Sequence, residues 1–197
     1  ISLTGQPIYF GAIEDSSGGT ANYTFNFGQR PFTYTPPTGY NALNTYNLPA
    51  ASISNGAKYF DATLWTGDGT SPRSITNATG FQPDLVWVKM RSGAYQHGIA
   101  DSVRGGNKIL HSNSTAAEDV NWQYGYLSSF NSNGFTMQSG STSIENFNLN
   151  GSTFVGWQWK GGGTGVSNTN GSITSTVSAN PTAGFSVVSW TGTAANA

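Results

Sequence analysis

Five Asn-Gly or Asp-Gly pairs punctuate this chain: Asn55-Gly56, Asp68-Gly69, Asn133-Gly134, Asn150-Gly151 and Asn170-Gly171. Each suits a tight turn that needs positive φ, which glycine reaches without a Cβ penalty. Between the turns lie short β-type runs: Tyr9 to Ile13, Tyr23 to Phe27, Lys58 to Trp65, Leu85 to Met90, Gly134 to Gln138, Thr153 to Trp159 and Gly184 to Trp190. In Phe60 to Leu64, alternation sets Phe60, Ala62 and Leu64 on one face, with Asp61 and Thr63 opposite. Leu85-Val86-Trp87-Val88 is apolar on both faces, as a central strand requires. No stretch keeps a 3.6-residue period. Only Thr115 to Tyr124 predicts a short helix, opened by Ser114 or Thr115 with Glu118 in its first turn. Many short strands separated by turns predict an all-β sandwich with at most one short helix.

Composition decides that this polar chain folds. Only 9% of the 197 residues are charged and the formal net charge is −1, yet aromatics reach 13%. Disordered chains lack such an aromatic load. Near-neutral charge argues against nucleic acid, which needs a basic face, and against electrostatic capture by anionic membranes. Zero cysteines exclude a disulfide framework and thiolate zinc sites.

Phe60 to Gly67 reads Phe-Asp-Ala-Thr-Leu-Trp-Thr-Gly, and Phe185 to Gly192 reads Phe-Ser-Val-Val-Ser-Trp-Thr-Gly. This second copy of a strand ending in Trp-Thr-Gly predicts a repeat-built protein, with the 197 residues a piece of a longer polypeptide. Pro36, Pro37 and Pro49 mark a linker or crossover between Pro36 and Ser54. Gly161 to Gly165 reads as either a flexible joint or a surface loop capping a sandwich edge. The expected organisation is residues 1–49, residues 50–180, and a closing strand or further repeat over 181–197.

Asn26-Phe27-Gly28-Gln29-Arg30-Pro31-Phe32, followed by Tyr34-Thr35-Pro36-Pro37-Thr38-Gly39-Tyr40, resembles the C-terminal end of SPRY-like domains. Such tails recur in large structural proteins of marine tailed bacteriophages. Gly80-Phe81-Gln82-Pro83-Asp84-Leu85-Val86-Trp87-Val88-Lys89, Asp101-Ser102-Val103-Arg104-Gly105 and Trp157-Gln158-Trp159-Lys160 together resemble a phage-associated lectin-like domain of unknown function. The resemblance implies a concanavalin-like antiparallel β-sandwich, or jelly roll, preceded by the end of a SPRY-like sandwich. It carries no catalytic residues across.

The residues themselves offer little chemistry. His97 and His111 read as polar loop histidines, without a cysteine or a paired acid at ligand spacing. Asp101 and Arg104 read as a structural pair holding a loop. The acidic pairs Glu14-Asp15 and Glu118-Asp119 do not set two carboxylates facing each other roughly 5–10 Å apart, as a glycosidase needs. Asp61, Asp68 and Asp84 are scattered and lack a calcium-loop pattern. No enzyme, metal or cofactor is therefore expected.

Trp87, Trp157 and Trp159 read as core or subunit contacts. Trp122, Tyr124 and Tyr126 fall in a predicted loop and are the candidate glycan contacts. On this reading Trp122 is dispensable for folding and Trp87 is not.

The expected function is a structural or adhesion component of a tailed-phage virion: a fibre, spike or surface appendage. Its expected partners are copies of itself (as a trimer or polymer), other virion proteins, and host surface glycans, with no nucleic acid and no membrane. A carbohydrate-binding module of a secreted adhesin and a capsid decoration protein are the alternatives.

Overall fold

The structure, a computed structural model, describes residues 30–33, 35, 37–39 and 52–194. The runs at Tyr9 to Ile13 and Tyr23 to Phe27, Glu14-Asp15 and the bulk of the SPRY-like segment lie outside these residues. Two compact units divide the chain, Ile1–Ser52 and Ile53–Ala197, and the break falls within the Pro36 to Ser54 stretch. All the regular elements that follow belong to the second unit.

That unit opens with a 3-10 turn at Gly56–Lys58, where the Asn55 side chain accepts the Ala57 N–H. The elements after it are β1 (Phe60–Thr66), β2 (Arg73–Thr76), β3 (Leu85–Met90), β4 (Gly98–Asp101) and β5 (Gly105–Leu110). Next come β6 (Asp119–Val120), β7 (Tyr126–Asn131), β8 (Gly134–Gln138), a helix α1 (Glu145–Asn148) and β9 (Thr153–Trp159). Last are β10 (Val166–Asn168), β11 (Ser175–Asn180) and β12 (Phe185–Trp190).

They form a six-stranded sheet in the order β1-β9-β3-β4-β5-β6 and two three-stranded sheets, β2-β8-β7 and β10-β11-β12. Every pairing is antiparallel. The protein is an all-β antiparallel sandwich.

The core fills the space between the six-stranded sheet and β2-β8-β7. Trp65, Val86, Val88, Met90 and Phe154 come from the first, and Ile75, Leu127, Phe135 and Met137 from the second. Burying each such side chain is worth about 1.5–3 kcal/mol. Trp65 stacks on Phe154 with centroids 5.5 Å apart, meets Phe135 edge-on at 6.1 Å, and donates Nε1–H to the Phe147 carbonyl at 3.2 Å.

β3 is central, paired to β9 on one side and β4 on the other. Val86, Val88 and Met90 point into the core, whereas Leu85, Trp87 and Lys89 line the opposite face and are only half-buried. Two polar residues inside are held by side-chain hydrogen bonds. Gln158 donates to Thr63 Oγ1 at 2.8 Å, and Asn148 donates to Asp68 Oδ1 and the Thr70 carbonyl at 2.7 and 2.9 Å.

The helix expected over Thr115 to Tyr124 does not form. Asp119–Val120 pairs with Lys108–Ile109 instead, so ladder formation with β5 overrides a local capping signal. The one α-helix among the described residues lies at Glu145–Asn148, and four residues are too few to show a helical period.

Gly134 shows why one of the predicted turns must hold glycine. Its φ is +150°, and a Cβ there would stand 2.0 Å from the Ile75 carbonyl oxygen in the neighbouring β2.

The third sheet lies against the outer face of the six-stranded one. Its entry, Gly161–Gly165, is held by side chains: Asp84 Oδ2 accepts the Gly161 and Gly163 N–H groups at 2.8 and 3.2 Å, and Ser178 Oγ accepts that of Gly162 at 2.9 Å. Phe185 stacks over Trp159, and Val187 is buried. Between Gly161 and Ala194 the chain carries no ionisable side chain.

Candidate interaction surface

The structure corrects the placement of Trp122. Its side chain is 5% exposed and belongs to the core. Asn121 takes a positive φ, and the Trp122 carbonyl then accepts the Gly125 N–H at 3.0 Å. This tight turn tucks the indole inward, 4.4 Å from His111, 5.8 Å from Tyr124 and 6.2 Å from Phe147 (centroid to centroid). Tyr124 and Tyr126 are half-buried and pack against the same core. The three residues come together, but as part of the interior and not as an open platform.

The polar groups singled out in the sequence also have structural tasks. Asp101 Oδ2 pairs with Arg104 Nε at 2.6 Å, and Asp101 Oδ1 accepts the Val103 and Arg104 N–H groups. Arg104 reaches on to Glu118 at 2.6 Å. The neighbouring Asp119 faces the other way, to His111 Nε2 at 2.8 Å, so the two acids of this pair serve different partners.

His111 differs from the expected loop histidine, because it is buried and bonded at both nitrogens, Nδ1 facing the His97 carbonyl at 2.8 Å. His97 meets Ser112 Oγ at 2.9 Å; burial, and then the nearby Lys89 charge, push its pKa down. Asp68 is held at about 2, first by the Thr70 N–H, then by the Thr70 hydroxyl and the Asn148 amide. Among the described residues no three His, Asp or Glu side chains converge to hold a metal ion.

What the surface does offer is apolar. One register line crosses five strands of the large sheet's outer face: Ala62, Trp157, Trp87, Ile99, Leu110. Trp87 and Trp157 lie 5.2 Å apart within it. Leu64 is 60% exposed on the edge strand β1, and Trp190 is 63% exposed on β12. A cleft of about 430 Å³ runs between β12 and the outer face, floored by Leu85, Ile99 and Leu110 and rimmed by Asp101 and Arg104. A second, of about 420 Å³, is lined by neutral hydroxyls and amides, among them Thr164, Ser167, Asn168, Thr169 and Asn170.

The sequence reading missed both clefts. Its only hint at the first was the repeated Trp-Thr-Gly strand, which brings Trp190 to the surface.

A three-sheet antiparallel β-sandwich with bare apolar faces is the class of protein that these features define. The chain belongs to the family described as Domain of unknown function (DUF7483), whose family model matches residues 55–197. Neither the comparison with curated proteins nor that with solved structures finds a match.

Proposed function

We propose that this chain is a non-catalytic structural and adhesion component of a tailed-phage virion, set in a fibre, spike or surface appendage. The observation that carries the reading is the exposure of apolar side chains on a stiff, disulfide-free sandwich. Leu64 and Trp190 are each 60% exposed or more, on strands whose other faces are covered, with Phe60 and Ala62 exposed beside Leu64 and Val188 exposed beside Trp190. Apolar side chains left bare side by side along one strand face mark surfaces that meet other protein.

A host-attachment role moves away from Trp122. The neutral cleft at Ser167–Asn170 has the size of a small-ligand site and offers hydroxyls and amides that can hydrogen-bond sugar hydroxyls.

Cryo-electron microscopy of the particle that carries this chain tests the reading. Density for the sandwich within a tail or appendage supports it. A free, secreted monomer overturns it in favour of a carbohydrate-binding module. Glycan-array screening tests the cleft: binding that Asn168→Ala abolishes while the melting temperature stays put supports it, and binding indifferent to that change removes it.

A further inference from the structure

The two copies of the Trp-Thr-Gly strand, β1 and β12, are buried on opposite faces. Aligned on that signature, Asp61, Thr63 and Trp65 correspond to Ser186, Val188 and Trp190, while Phe60, Ala62 and Leu64 correspond to Phe185, Val187 and Ser189. In β1 the first set turns inward: Trp65 is buried, with Asp61 and Thr63 half-buried, and Phe60, Ala62 and Leu64 are exposed. In β12 the pattern inverts. Ser186, Val188 and Trp190 are all exposed, whereas Val187 is buried and Phe185 stacks on Trp159.

The glycine of the signature tells the same story. A Cβ on Gly67 would stand 2.0 Å from the Leu149 carbonyl oxygen, so that position needs glycine because another strand connection crosses it. At Gly192 the equivalent Cβ meets nothing within 4 Å. Trp65 has Phe154, Phe135 and the Phe147 carbonyl around it. Trp190 has no ring partner among the described residues. The signature is kept in β12, and among the described residues the contacts that explain it in β1 have no counterpart.

From this inversion we infer that the bare face of β12 is the core face of a second sandwich of this same kind, in which β12 holds the place that β1 holds here. The second sandwich supplies the counterparts of Phe135 and Phe154 around Trp190, and its counterpart of Leu149 crosses Gly192. Phe185 and Val187 remain packed on the outer face of the first sandwich, so β12 joins that face to the core of the next. The absence of charge throughout β10–β12 fits burial on both faces, since no ionisable group on these strands has to be desolvated. This deepens the reading of the chain as a link in an assembled appendage and rests on it.

A spliced tandem tests the inference. Residues 1–192 are joined directly to residues 68–197, so that β12 alone can serve as the first strand of the second half. A control tandem joins residues 1–197 to residues 53–197, giving the second half its own β1. The expected result is two folded sandwiches in the spliced protein, with amide exchange at Val188 and Trp190 slowed on the order of 100-fold relative to the single chain. Trp190→Ala should then unfold the second half of the spliced protein while leaving the single chain and the control folded. A spliced second half that stays unfolded beside a folded control overturns the inference, as does a folded one in which Trp190→Ala has no effect. Either failure leaves the location of the chain in the virion as a separate question, answered by imaging the particle.

Discussion

Replacing Trp122 by alanine should cost this sandwich a large share of its stability, although the residue lies in a connection between two strands. The indole is 5% exposed and touches rings from three separate places, His111 after β5, Tyr124 beside it and Phe147 in α1. Truncating a buried Trp to Ala costs about 3–5 kcal/mol, from lost transfer energy and the cavity left behind. A protein of this size has a total stability of roughly 5–15 kcal/mol. Near the lower end, only about 1 kcal/mol would remain. Otherwise a loss of about 4 kcal/mol lowers the melting temperature by roughly 10–15 °C, at about 2–4 °C per kcal/mol.

The indole also screens His111, so its loss opens the His111–Asp119 contact to water. The assay is thermal and urea unfolding followed by near-UV circular dichroism, with Trp190→Ala as comparator. That exposed residue should change stability by about 0.5 kcal/mol or less. If Trp122→Ala melts within about 2 °C of the parent, the packing described around it does not hold the fold together.

Two further outcomes follow from single positions. Gly134→Ala must accommodate both a positive φ and a backbone clash with Ile75, so a loss of about 3 kcal/mol or more is expected in urea unfolding; Gly56→Ala, with open space around it, should stay within about 1 kcal/mol of the parent. Asp68 titrates at about 2 in the folded protein against an ordinary value of 3.8. Its stabilising contribution is therefore complete at neutral pH and fades as pH falls from about 3.8 towards 2. The melting-temperature gap between the parent and Asp68→Asn should be constant from pH 5 to 7 and close near pH 2, and a gap that persists at pH 2 contradicts this account.

Strands whose own pattern carries the signal were legible in the sequence: β1, β3, β8, β9 and β12 all lie where apolar runs sit between turn residues. The others were hidden for physical reasons. β5 begins Gly-Gly-Asn-Lys, β10 is three residues long, and β6 exists only because Lys108 and Ile109 offer it a ladder. Local propensity has nothing to report at such places.

Trp122 was misplaced for a related reason. Gln123 and Gly125 look like a turn, and they belong to one, but His111 and Phe147, which enclose the indole together with Tyr124, come from elsewhere in the chain. The pairing of Asp101 with Arg104 was legible because the two residues are three apart in the chain. His111 was not, since its partners are the His97 carbonyl and Asp119, brought together by β4, β5 and β6. The clefts beside the third sheet were equally out of reach, because they arise from how that sheet lies on the large one.

The stretch from Gly161 to Ala194, free of ionisable groups, has a thermodynamic consequence. These strands bring no charge of their own to a joint, so their share of its strength is almost indifferent to ionic strength and to pH. What remains is dehydration of Val166, Val188 and Trp190, which carries a large negative heat-capacity change and weakens on cooling. Such a contact tolerates brine and acid but loosens in the cold, and calorimetry across temperature would read that signature directly.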